Sequence, residues 1–183
     1  MGKQPPSRRV PLNVDAITTA ALGLIDRDGA GGLSMRKLGA ALGVDPMAVY
    51  HHVENRDRLI ALTMGRVLRE LPPSDVSVPW DEQVRRWAVA YRALVVAHRA
   101  LAYEAMRTPA TIELAAADGT RPLVDAIAGS GVGRRAAGEL ADLIVDYVHG
   151  HALSVTEKST KSPPTAFRRA IDTIIAGIRS RAG

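Results

Sequence analysis

The stretch Leu33 to Ile60, LSMRKLGAALGVDPMAVYHHVENRDRLI, constrains the fold of this chain more than any other. Ser34 is placed to cap a helix, its hydroxyl accepting from a first-turn amide that has no partner within the helix. Leu33 and Leu38 flank that cap at the spacing of a hydrophobic staple. Gly43 supplies a residue that enters the left-handed region without a Cβ penalty, which ends the helix. Asp45-Pro46 then starts a second helix, an acidic cap followed by proline at the first helical position. Val44 and Val49 stand where a second staple would form, and Asn55 caps a third helix. Two short capped helices joined by a glycine-containing turn are the helix-turn-helix pattern.

The second helix, roughly Pro46 to His52, has an uneven composition. Val49 and Val53 lie four apart and can face inward, which turns Met47, Ala48, Tyr50 and His51 largely outward. An outer face of aromatic and hydrogen-bonding groups, with no acid after Asp45, suits entry into a DNA major groove. Arg56, first in the third helix and beside its free amides, makes a phosphate seat. A generic helical hairpin with a partly polar surface is the plainer alternative. Three well-formed caps in so short a stretch argue against it.

The residues Gly32-Leu33-Ser34-Met35-Arg36-Lys37-Leu38, Leu42-Gly43-Val44, Val49-Tyr50-His51-His52-Val53, Asn55-Arg56 and Leu59 resemble the N-terminal DNA-binding signature of the TetR family of bacterial transcriptional regulators. The region Trp80 to Thr108 resembles that family's ligand domain more weakly.

With 183 residues, 46% of them hydrophobic and 23% charged, the chain is long enough for a core and has the balance of a globular protein. Its net charge of +5 favours an anionic partner. There is no cysteine, which excludes disulfides, thiolate metal sites and thiol nucleophiles. Met1 to Pro11 has no apolar core of the kind a signal peptide needs. No apolar run approaches the ~20 residues that span a bilayer. A cytoplasmic protein is expected.

In chain order, residues 1–12 hold Lys3, Arg8 and Arg9 among prolines and read as a disordered basic arm, either a plain solvated tail or a contact to the DNA backbone. Residues 13–60 form the helix-turn-helix domain, opened by a helix from Asn13 to Asp28 whose Val14, Ile17, Ala21, Leu24 and Ile25 make one stripe. Residues 61–183 form an effector-binding and dimerisation domain. The third capped helix runs on to Leu71, so it is the regular element placed to carry a signal between the two halves. Pro72 to Pro79 is the linker. Helices are expected at Trp80 to Arg99, Leu101 to Arg107, from Thr108-Pro109 with an interruption at Asp118 to Pro122, at Arg134 to about Lys158, and after Pro164. The last two helices carry more apolar residues than one core contact needs, among them Ile144, Val148, Phe167, Ile171, Ile174, Ile175 and Ile178. That surplus predicts a homodimer through the last two helices, the alternative being burial within one subunit. No strand is expected, and the fold class is all-α.

Catalysis is not expected, and no cofactor or metal is assigned. His51 and His52 are adjacent, and His149 and His151 are two apart, so neither pair has the i, i+4 geometry of helical zinc sites. His98 and His151 each lie on an apolar face and suit hydrogen-bonded core positions. Trp87, Tyr91, Leu94, Leu101, Tyr103, Met106, Leu123, Ile127, Tyr147 and His151 have the mix of apolar bodies and polar tips found in small-molecule pockets, and equally in ordinary cores.

The resemblance implies more. It implies a dimer whose C-terminal helices enclose an effector and whose occupancy alters the separation of two recognition helices. It implies DNA contacts at Ser34, Met35, Arg36, Met47, Ala48, Tyr50, His51 and Arg56. It places Glu104 where tetracycline-responsive members carry a metal-binding histidine, which argues for a different effector, largely apolar. It also departs at Pro46, Met47 and Ala48, where those members carry hydrogen-bonding groups, so a different operator sequence is expected. The expected function is a ligand-responsive DNA-binding regulator, a repressor on a palindromic operator; the alternative is a helical protein-interaction adaptor without DNA binding.

Overall fold

Four side-chain caps set where the first four helices begin. Asn13 accepts from the Ala16 amide at 2.8 Å and starts α1 (Val14–Asp28). Ser34 accepts from Lys37 at 3.2 Å and starts α2 (Met35–Leu42). Asp45 accepts from Met47 at 2.8 Å and starts α3 (Pro46–Tyr50). Asn55 accepts from Arg58 at 2.8 Å and starts α4 (Arg56–Leu68). Each satisfies an amide that helix geometry leaves without an internal partner. The chain, described here by a computed structural model over residues 12–111, 119–154 and 165–182, continues through α5 (Trp80–Ala97), α6 (Arg99–Met106), α7 (Arg121–Ala128), α8 (Arg134–Ser154) and α9 (Thr165–Ala182). Among the described residues every long element is helical, and no helix is long and apolar enough to cross a membrane. The basic arm up to Pro11, Asp118, and the segment from Val155 to Pro164 lie outside the described residues.

The α2–α3 corner is held by two glycines with different tasks. Gly43 has φ +68 and closes α2 in the left-handed region. Gly39 is needed for space: a Cβ there would stand 2.9 Å from the Val44 carbonyl oxygen and 3.1 Å from the Pro46 nitrogen. Both obstacles are backbone, so α3 approaches α2 as closely as it does only because Gly39 has no side chain. Leu38, Val49 and Val53 are fully or almost fully buried against Ile17, Leu24 and Ile25 of α1 and Leu59 and Ile60 of α4. Burial of each such side chain contributes about 1.5–3 kcal/mol against leaving it in water.

Several boundaries differ from the sequence expectation. The second short helix ends at Tyr50, and His51 and His52 lie in a tightened turn in which the amides of His52 and Val53 share the Val49 carbonyl. α4 ends at Leu68; Leu71 stays buried, but through turn-type bonds. Gln83 fastens the Pro72–Pro79 linker, donating to the Val78 carbonyl at 2.8 Å and accepting from the Asp75 amide at 3.2 Å. α5 and α6 break at His98, whose backbone leaves the helical region (φ −119, ψ 47). Its Nδ1 lies 3.0 Å from the Asp26 carboxylate of α1, which pins the break to the first helix rather than sealing His98 in a core.

α5, α7 and α8 pack pairwise on one another, and α9 lies across α5 and α8. Here the counting of surplus apolar surface needs correcting. Phe167, Ile171, Ile175 and Ile178 are buried within the single subunit, and ion pairs Arg179–Asp81 at 3.0 Å and Arg85–Asp172 at 2.7 Å fasten α9 to α5. Periodicity shows that a helix has an apolar face, but it does not show whether the cover comes from the same chain or a second copy.

Candidate DNA-facing helices and effector cavity

The caps and the buried valines decide which side of the helix-turn-helix faces out. With Val49 and Val53 inside, Met47 is 63% and Tyr50 43% exposed, and His51, Ser34 and Arg36 are exposed beside them. Met35 and Ala48 are half-buried, with Met35 packed against the core. The exposed surface therefore groups Ser34 and Arg36 from α2 with Met47, Tyr50 and His51 from α3 and the turn after it. Lys37 and Arg58, which the sequence reading did not single out, are exposed on neighbouring turns. Arg58 forms no ion pair among the described residues; Lys37 reaches Asp28 at 3.6 Å.

Arg56, expected at a phosphate, is paired within the subunit. Its guanidinium bonds to the Glu104 carboxylate of α6 at 2.6 Å and to the Ala30 carbonyl at 3.1 Å. The sequence reading correctly placed it at the start of α4 and missed its partner, which lies 48 residues away. α6 packs on α1, α4 and the turn at Ala30–Gly32, so it rests directly on the N-terminal helices.

On its other side α6 meets a cavity of about 350 Å³. Met64 and Leu68 of α4, Trp87 and Tyr91 of α5, and Ala105 and Met106 of α6 form an apolar wall. Thr111 and Thr120 add hydroxyls, and Asp142, Val145, Asp146 and His149 of α8 line a further side, where the two aspartates are exposed to solvent. The Trp87 and Tyr91 rings lie tilted by 34° with centres 4.7 Å apart, and the Trp87 indole donates to the Gly119 carbonyl at 3.1 Å. The Tyr91 hydroxyl meets His149 Nε2 at 2.5 Å. Burial raises the Tyr91 pKa and lowers that of His149, the latter partly offset by Asp146, so both are neutral near pH 7. The neutral imidazole with its proton on Nδ1 can accept from the Tyr91 hydroxyl.

Of the pocket residues expected from sequence, Trp87, Tyr91 and Met106 line this cavity. Leu94 borders a much smaller void beside Tyr91, and Leu101, Leu123 and Ile127 are fully buried core. Tyr103 is 54% exposed, with Arg107 over its ring. Tyr147 and His151 turn instead towards α9, where Phe167 stacks on Tyr147 at 5.6 Å and meets His151 edge-on at 4.9 Å. The buried Arg92 guanidinium completes that cluster, 5.6 Å from the Phe167 ring and 3.2 Å from His151 Nδ1. The acidic wall was missed because Asp142, Asp146 and His149 are polar residues on the flank of a helix read for its apolar stripe. Their i, i+4, i+7 spacing was the available signal. Among the described residues, no group of three or more potential ligands is arranged to hold a metal ion.

No family model matches the chain. It is 29% identical over 91 residues to the tetracycline repressor protein class E of Escherichia coli, a match covering 48% of this chain and 43% of that protein. It is 33% identical over 94 residues to an HTH-type transcriptional regulator of Saccharopolyspora erythraea, covering 50% of this chain and 40% of that protein. The chain spans less than half the length of the curated relatives it matches. Among solved structures, the Streptomyces coelicolor TetR family protein ActR in complex with (S)-DNPA superposes with a TM-score of 0.74 at 26% identity, covering 95% of this chain and 100% of that one.

Proposed function

We propose that this chain, which carries the TetR-family fold and is similar in sequence to TetR-class repressors, is a ligand-responsive DNA-binding transcriptional regulator that represses from a palindromic operator as a homodimer. The observation that carries this reading is the double engagement of α6. Ala105 and Met106 form part of the cavity wall, while Glu104 of the same helix holds Arg56 at the first turn of α4. That turn is separated from the end of α3 by residues 51–55, and so follows the exposed Met47 and Tyr50 of that helix and His51 of the intervening turn.

The mechanism follows from this linkage. An effector that fits the cavity better in one setting of α6 shifts the population towards that setting by its differential affinity. Through Glu104, Arg56 and the continuous α4, the setting of α6 fixes the direction in which α3 points. In a dimer, two α3 helices about 34–36 Å apart meet successive major grooves, and a changed spacing lowers DNA affinity. Residues 13–60 would read DNA and residues 61–183 would bind effector and partner, although α4 runs unbroken across that boundary. Base-edge and backbone contacts are assigned to Ser34, Arg36, Met47, Tyr50 and His51, with Met35 and Ala48 supporting them from partly buried positions. The helix N-terminus at Asn55 supplies amides for a phosphate.

For the partner surface, the outer sides of α8 and α9 expose Glu139, Leu143 and Gly150 on one helix and Thr173, Ala176, Gly177 and Ser180 on the other. Small residues let helices approach closely, and this supports an isologous contact of the last two helices of each copy. A protein-only adaptor remains the competing class. A gel shift with duplex DNA enriched by the purified protein from genomic fragments tests the reading: a slower-migrating, salt-sensitive complex is expected. Absence of any duplex affinity would leave the adaptor.

A further inference from the structure

We propose that the cavity beside α6 takes an organic cation, an apolar or aromatic body of a few rings bearing a permanently charged or protonated nitrogen, with Asp142 and Asp146 facing the charge. This rests on the reading of that cavity as the effector site and names the class of effector.

Three observations converge. First, among the described residues the charged groups that line the cavity are of one sign: Asp142 and Asp146, both exposed to solvent, are there, and no lysine or arginine is. This contrasts with a chain whose net charge is +5. The two carboxylates stand one helical turn apart on α8 and form no ion pair among the described residues. His149, the third polar member of that flank, is kept neutral by burial, so it does not cancel their charge. Second, the opposite wall is Trp87, Tyr91, Met64 and Met106, whose aromatic and thioether groups suit an apolar cation through both contact area and ring faces. Third, the Thr111 hydroxyl lines the same cavity, is buried, and has no hydrogen-bond partner among the described residues. An unpaired hydroxyl inside a protein is costly unless something meets it. Here a ligand can. An anionic effector would meet two carboxylates with no compensating cation among the described lining residues, and a neutral one would leave them unused.

Tetraphenylphosphonium and tetraphenylborate separate charge from shape, being nearly the same size and opposite in sign. Titrating each into the full-length protein, with calorimetry as the readout, should show the phosphonium binding at least tenfold more tightly. The Asp142→Asn/Asp146→Asn double variant should bind the phosphonium about tenfold more weakly and the borate no more weakly than the wild type does. Equal or tighter binding of the borate, no binding of either ion, or an unchanged phosphonium affinity in the double variant overturns the assignment. The regulator reading is tested separately by adding phosphonium to the protein–DNA complex. Cation binding as predicted without any effect on DNA affinity leaves the ligand class standing and removes the regulatory role. Release of DNA by the borate alone does the reverse.

Discussion

Arg56 and Glu104 join the first turn of α4 to α6 across 2.6 Å, with the Ala30 carbonyl as a second acceptor for the same guanidinium. The pair is partly open to solvent, so its contribution to folding is modest, about 1 kcal/mol or less in a double-mutant cycle. Its importance is directional. Glu104→Gln should leave the fold and the affinity for DNA in the absence of effector within a few-fold of wild type. The factor by which a bound effector weakens DNA binding should shrink towards one. Anisotropy titrations with and without effector check this, and an unchanged factor would show that the signal takes another route.

Gly39→Ala drives a methyl group into the Val44 carbonyl and the Pro46 backbone. A loss of roughly 1–3 kcal/mol in urea unfolding is expected, typical of overpacking against atoms that cannot turn away. Gly23→Ala in α1, where nothing lies within 4 Å, should be neutral or stabilising by about 0.5–1 kcal/mol.

The pairing of Tyr91 with a neutral His149 gives a pH dependence of definite sign. The imidazole pKa is lowered in the fold from its ordinary 6.5, mainly by burial. Its contribution to stability is therefore complete above about 6.5 and is lost as pH falls from there through the lowered folded value. Unfolding free energies at pH 7.5 and 5.5 should fall further for wild type than for His149→Gln. Equal falls would mean that the imidazole titrates alike in both states.

On the DNA side, Tyr50→Ala and Arg36→Ala should each weaken binding to the selected duplex by about 1–3 kcal/mol while leaving the unfolding transition in place. Arg58→Ala should weaken binding across sequences alike and reduce the slope of log affinity against log salt by about 1. A sequence-specific loss from Arg58→Ala would instead move that residue to the base edges.

The start of each of the first four helices was legible because a cap acts within three residues of itself, and Asn13, Ser34, Asp45 and Asn55 all cap as their types imply. The outward face of α3 followed from Val49 and Val53 by the same local reasoning. The Arg56–Glu104 contact was not legible, since nothing in the spacing of two charged residues on separate helices says that they meet. Gly39 looks like any helical glycine until α3 is in place. The cavity was half legible: Trp87, Tyr91 and Met106 follow from apolar periodicity, whereas Tyr147 and His151 went to the Phe167 side because a small rotation along α8 separates the flank facing the cavity from the flank facing α9. Burial of Phe167 and the isoleucines of α9 by their own subunit was likewise a matter of tertiary position.

In the proposed regulator, two copies of α3 read one symmetric stretch of duplex. A hydroxyl-radical footprint of the purified protein on the DNA it selects tests this most directly. Two protected half-sites are expected, related by a twofold axis and centred one helical turn, about 10–10.5 base pairs, or a small multiple apart. A single protected patch without symmetry, or no protection at low salt, would contradict it.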